Sequence, residues 1–68
     1  MGTGENTAVR QYDVWRRTSD GTEVFVELVF DMPDEGRMVT WGEIGSDREN
    51  TCTEAHFVRA YTLIERAE

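Results

Sequence analysis

Cys52 and His56 stand four residues apart, an interval that puts two side chains on one face of a helix. A thiol beside an imidazole is half of a zinc site, or the start of a Cys–His nucleophile. Zinc needs four ligands, or three and a water, and the chain has no second cysteine or histidine. Nucleophilic catalysis needs an orienting group and an oxyanion hole as well, and no sequence signature supplies them. A free cysteine more often packs as a small hydrophobe. No catalytic residue, metal ligand or cofactor site is therefore assigned, and the chain reads as a non-enzyme.

Carboxylates offer more. Asp31, Asp34 and Glu35 precede Gly36 in a turn-like stretch, but the spacing of a calcium-binding loop is missing. Turn chemistry alone accounts for aspartate and glycine there. The run Glu23–Asp31 alternates acid with apolar: Glu23, Phe25, Glu27, Val29 and Asp31 share one face of a strand. Same-face side chains on a strand lie about 6.7 Å apart, twice the rise per residue. That is near the phosphate spacing of a single nucleic-acid strand, so such a face can imitate one. Trp15 is placed opposite Phe25. The candidate protein-binding residues are thus Trp15, Glu23, Phe25, Glu27 and Asp31, the aromatics as anchors and the acids as steering charges. An ordinary solvated sheet face, or one covered by the N-terminal tail or a second copy, is the alternative.

Fourteen carboxylates face seven arginines, with no lysine, for a net charge of -7 over 68 residues. That balance disfavours phosphate backbones and anionic lipid as partners; it favours a basic protein surface or a metal cation, or serves solubility alone. Genome composition or salt adaptation would produce the same bias. A single cysteine excludes an intrachain disulfide and fits a reducing cytoplasm. No apolar run approaches 18 residues, and Met1–Thr7 lacks the pattern of a signal peptide. Asn6 stands where a myristoylation pattern needs serine or threonine.

The elements follow from periodicity. Residues 1–8 carry no apolar pattern and read as a tail, leaving 9–68 as one small domain. Residues 9–17 form a first strand and Glu23–Asp31 a second, in which Val24, Val26, Leu28 and Phe30 face the core. Met38–Ile44 form a third strand, with Gly42 marking a bulge or a close backbone approach. A three-residue loop Ser19-Asp20-Gly21 sets Val14 opposite Val26 and Tyr12 opposite Leu28, both inward, with Trp15 outward; a two-residue Asp-Gly loop would bury Trp15 instead. Thr51-Cys52-Thr53-Glu54 resembles a capping box, and Phe57, Tyr61 and Ile64 follow at helical spacing. A C-terminal helix therefore spans about 52–66, unless Tyr61-Thr62-Leu63-Ile64 reverts to a strand. The expected fold is α+β, a three-stranded antiparallel sheet with one C-terminal helix packed on one face; one strand more would close it into a small SH3-like barrel.

Two resemblances attach to these residues. Strand–strand–strand–helix order, Trp41-Gly42, Glu54-Ala55 and Ala60-Tyr61 together resemble the plant AP2 and integrase arm-binding modules. That implies DNA contact through Arg10, Arg16 and Arg17, although Glu23, Glu27 and Asp31 would occupy the reading face. Trp15, Asp20-Gly21, the valine-rich strand, Gly36-Arg37-Met38-Val39-Thr40-Trp41 and Phe57-Val58-Arg59-Ala60-Tyr61 are similar to short uncharacterised proteins of phage and prophage genomes. This implies a small β-rich accessory protein that acts on a host or phage partner without enzyme activity; the acidic face adds the expectation of an inhibitor that binds a basic, nucleic-acid-binding surface of that partner. A DNA-binding module and a structural homodimer buried through Trp15 and Phe25 are the alternatives.

Overall fold

The valine-rich run forms the longest strand of the protein, and the other elements are arranged around it. A computed structural model describes residues 8–66. It comprises β1 (Val14–Arg17), β2 (Glu23–Met32), β3 (Gly36–Glu43), β4 (Asn50–Thr53), α1 (Glu54–Ala60) and β5 (Tyr61–Glu65). All pairings are antiparallel, in one sheet of order β4-β3-β2-β1-β5. The class is α+β with an antiparallel sheet and one helix, but the sheet has five strands rather than three. The expected tail over residues 1–7 lies outside the described residues.

Both extra strands come from the segment expected to be loop and helix. Thr51 lies in β4 opposite Thr40, so it does not cap a helix. Thr53 takes that role, its hydroxyl accepting the His56 amide at 3.2 Å. The helix then stops at Ala60, because Tyr61 is already extended (φ -130°, ψ 154°). The β-branched Thr62 and Ile64 favour that change, and β5 pairs with β1. Sequence position 61–65 thus follows the strand alternative, and no long C-terminal helix forms.

The first hairpin decides which aromatics are inside. Arg16 pairs with Glu23, Trp15 with Val24 and Val14 with Phe25, while the Arg17 amide donates to Thr22 O at 2.7 Å. Four residues, Thr18–Gly21, make the loop, one more than expected. Gly21 takes a positive φ of 79°, which it adopts without steric cost. Asp20 fixes the turn by accepting the Thr22 amide at 3.0 Å and the Arg17 guanidinium at 3.1 Å. One residue of register exchanges the faces of a strand. Trp15 is therefore buried, at 1% exposure, and Tyr12 is 54% exposed, the reverse of the expected arrangement.

A second register change lies inside β2. Val26 pairs with Trp41, but Leu28 pairs with Thr40, so Glu27 is an extra, bulged residue. Val24, Val26 and, after the bulge, Val29 face the core, while Leu28 is 47% exposed. Val9, Trp15, Val24, Val26, Val39, Phe57 and Tyr61 form that core. Phe57 stacks on Tyr61 with centroids 4.4 Å apart, and Trp15 meets Phe57 edge-on at 5.2 Å. Each such side chain contributes on the order of 1.5–3 kcal/mol through burial.

Polar side chains lock the start of the described chain across this core. Glu54 accepts the Val9 amide at 2.8 Å, and Arg37 donates to Val9 O at 3.1 Å and to Glu54 at 3.2 Å. The pair thus satisfies both backbone hydrogen-bonding groups of one buried residue, Val9, as a neighbouring strand would. Asp13, fully buried, accepts the Arg10 amide at 2.9 Å and the Trp15 indole N–H at 3.3 Å, with Arg66 at 3.6 Å. Arg66 also donates to Ala8 O at 3.1 Å, tying the start of the described chain to its end.

Candidate functional site

Phe25 and Glu27 lie on β2 where its partner β3 runs into the loop before β4. Gly42, opposite Phe25, is buried, and a Cβ there would sit 2.6 Å from Arg48 O. Absence of a side chain lets the backbone of the 44–49 loop fold down on β3; the close backbone approach expected at Gly42 is found. Gly45, at φ 91°, makes the tight turn that follows Ile44. Between this loop and β2 opens a groove of about 500 Å³, lined by Phe25, Glu27, Glu43, Ile44, Asp47 and Glu49, with Arg48 also on its wall.

Its chemistry is apolar and anionic together. Ile44 is 57% exposed and Phe25 is half-buried. Tyr12 stacks on Phe25 with centroids 5.9 Å apart and planes at 25°, extending the aromatic surface. Tyr12 holds a φ of 73°, a conformation costly for a side chain of this kind. Among the described residues Glu27, Asp47 and Glu49 enter no ion pair, whereas Glu43 is held by Arg17 at 2.9 Å. The Gln11 side chain donates to Glu27 O at 3.0 Å and steadies the bulge.

The five residues singled out from the sequence are only partly brought together. Phe25 and Glu27 share the groove. Glu23 lies earlier on the same strand, tied to Arg16 at 3.5 Å. Asp31 pairs with Arg37 in register and, because of the bulge, falls in step with core-facing Val29 rather than with Phe25. The row of acids is therefore split and is not a single phosphate-spaced line. Trp15 is interior, packed on Phe57, and cannot anchor a partner on this surface or on a homodimer face. Ile44, Asp47, Glu49 and Tyr12 escaped sequence reasoning. An isoleucine between Gly42 and Gly45, followed by a polar loop, was the signal available for the first three.

Other chemistry is dispersed. Cys52 is half-buried on β4 while His56 is exposed on α1, so they do not share a helix. No cluster of three or more metal-ligating side chains occurs among the described residues. The basic pair is neutralised: Arg16 meets Glu23, and Arg17 meets Asp20 and Glu43 while its guanidinium lies 5.8 Å from the Tyr61 ring centroid. A hydrogen bond to the Tyr61 hydroxyl, against some desolvation and aided by Tyr61, Asp20 and Glu43, raises the Arg17 pKa. The Thr22 amide and then its side chain, with Arg17, lower that of Asp20. Both shifts belong to the turn that sets the register. No described helix is long and apolar enough to cross a membrane. Comparison with protein-family models, curated proteins and solved structures finds no match for this chain.

Proposed function

We propose that this chain is a small acidic, non-enzymatic interaction module whose Phe25–Glu27 groove receives a basic segment of a protein partner. The observation that carries the proposal is the joining of an apolar floor, half-buried Phe25 and exposed Ile44, to three carboxylates without ion pairs among the described residues, Glu27, Asp47 and Glu49. Lysine and arginine combine an apolar stem with a charged head. Here the stem lies on Phe25 and Ile44 while the head meets the acids; a guanidinium also stacks on an aromatic face. Glu23, on the same strand, adds to the field that steers the encounter.

The strand order, with a short helix linking the two edge strands β4 and β5, supports a small SH3-like barrel as the finer description of the fold. A phage-type accessory protein that occludes the nucleic-acid site of a partner is consistent with such a surface, since the same basic patch would attract both. Direct DNA contact through Arg16 and Arg17 draws no support from side chains already paired with acids.

Calorimetric titration with an oligoarginine peptide tests the groove. Binding should weaken by at least about tenfold for Glu27→Lys, since a close like charge replaces a favourable one, and should fall with added salt. Phe25→Ala should weaken it at every salt concentration. Unchanged affinity in both variants excludes the groove as the binding surface.

A further inference from the structure

We propose that a second pocket, on the opposite side of the sheet from the groove, binds a carboxylate group. Two tryptophans of this protein treat their indole N–H differently. That of Trp15 donates to Asp13 at 3.3 Å. That of Trp41 is buried and has no acceptor among the described residues. Buried donors without acceptors are rare in native proteins, and each one calls for an explanation. Trp41 lines a pocket of about 350 Å³ together with Arg17, Glu43, Ser46, Arg48 and Asn50.

These neighbours are rich in donors. The Glu43 carboxylate is occupied by Arg17 at 2.9 Å, whereas the Arg48 guanidinium has no ion pair among the described residues and Asn50 offers an amide. Arg17 is already shared between Glu43 and Asp20, so Arg48 is the cation of the lining left to meet an anion, in a protein whose net charge is -7. One monoanion balances that cation, while a dianion would face the surrounding acids. A carboxylate also matches the planar fork of arginine and accepts several hydrogen bonds at once. Acidic side chains and free chain termini carry the same group, and either fits. The site shares Glu43, Ser46 and Arg48 with the acidic groove, so the loop at 44–49 presents sites of opposite sign on its two sides. Its occupancy by a carboxylate does not depend on what the groove binds.

The two indole N–H signals in an ¹H–¹⁵N spectrum provide the test, with Trp41→Phe used to assign them. Acetate, added at constant ionic strength, should shift the Trp41 signal saturably and leave the Trp15 signal in place. Arg48→Gln, a substitution at an exposed position, should weaken that response by about tenfold, as expected for loss of a charge-assisted hydrogen bond. Acetamide should produce no shift. Equal movement of both indoles, an undiminished response in Arg48→Gln, or tighter binding of inorganic phosphate than of acetate would overturn the assignment.

Discussion

Replacing Trp15 by alanine should all but unfold this domain. The indole is 1% exposed, contacts Phe57 edge-on at 5.2 Å and supplies a hydrogen bond to the buried Asp13 carboxylate. Truncating a buried tryptophan to alanine costs about 3–5 kcal/mol, and Asp13 losing a donor adds roughly 1 kcal/mol or more. Total stability for a chain of this length is on the order of 3–10 kcal/mol, so most or all of it is removed. Urea unfolding followed by circular dichroism reads the change directly. At a slope near 1 kcal/mol per molar urea, typical of small proteins, the midpoint should fall by about 4–6 M or vanish. Phe25→Ala, at a half-buried position, should cost only about 1–2 kcal/mol, a midpoint shift of about 1–2 M at the same slope. Overlapping Trp15→Ala and wild-type curves would refute the four-residue loop and the register built on it.

Three further outcomes follow from named contacts. Gly42→Ala should cost about 1–3 kcal/mol, because its Cβ would lie 2.6 Å from Arg48 O; amide shifts should spread through residues 44–49, and a spectrum unchanged there would refute the packing. Glu54→Ala should raise the exchange rate of the Val9 amide by about tenfold or more, since that N–H loses its buried acceptor; unchanged exchange would show that the clamp is absent. Asp20 should titrate below its ordinary value of 3.8, held down first by the Thr22 amide and then by the Thr22 side chain and Arg17. Because the folded pKa is the lower one, its contribution is complete above the unfolded pKa and is lost as pH falls through the folded value. Asp20→Asn should remove that acid-side decline, and a carboxyl titrating at or above 3.8 would contradict the turn.

Strand two is legible because alternation over the nine residues Glu23–Asp31 is a strong signal; strand three reads as a shorter strand over Met38–Ile44, in which Gly42 announces the close backbone approach behind the groove. Three features were hidden for physical reasons. Asp20-Gly21 suits loops of two, three or four residues, and the choice was made by tertiary packing that favours Trp15 over Tyr12 in the core. The bulge at Glu27 uses no glycine, so perfect alternation of Val24, Val26, Leu28 and Phe30 concealed a shift that exposes Leu28 and turns Val29 inward. Phe57, Tyr61 and Ile64 fit one long helical stripe as well as they fit a short helix holding Phe57 that runs into a strand holding Tyr61 and Ile64. Only pairing of 61–65 with β1 separates those cases, and that partner is more than forty residues away in sequence. The groove was half legible: Phe25 and Glu27 stood out by alternation, whereas Ile44, Asp47 and Glu49 joined them only through the fold of the loop.

Chemical-shift mapping with an oligoarginine peptide tests the proposed basic-partner groove most directly. Amides of Phe25, Glu27, Ile44, Asp47 and Glu49 should move together and saturably, while those beside Asp31, Asp34 and Glu35 stay nearly fixed. Shifts centred on that acidic β2–β3 turn, or spread evenly over every exposed carboxylate, would contradict a defined groove and leave only diffuse attraction between opposite charges.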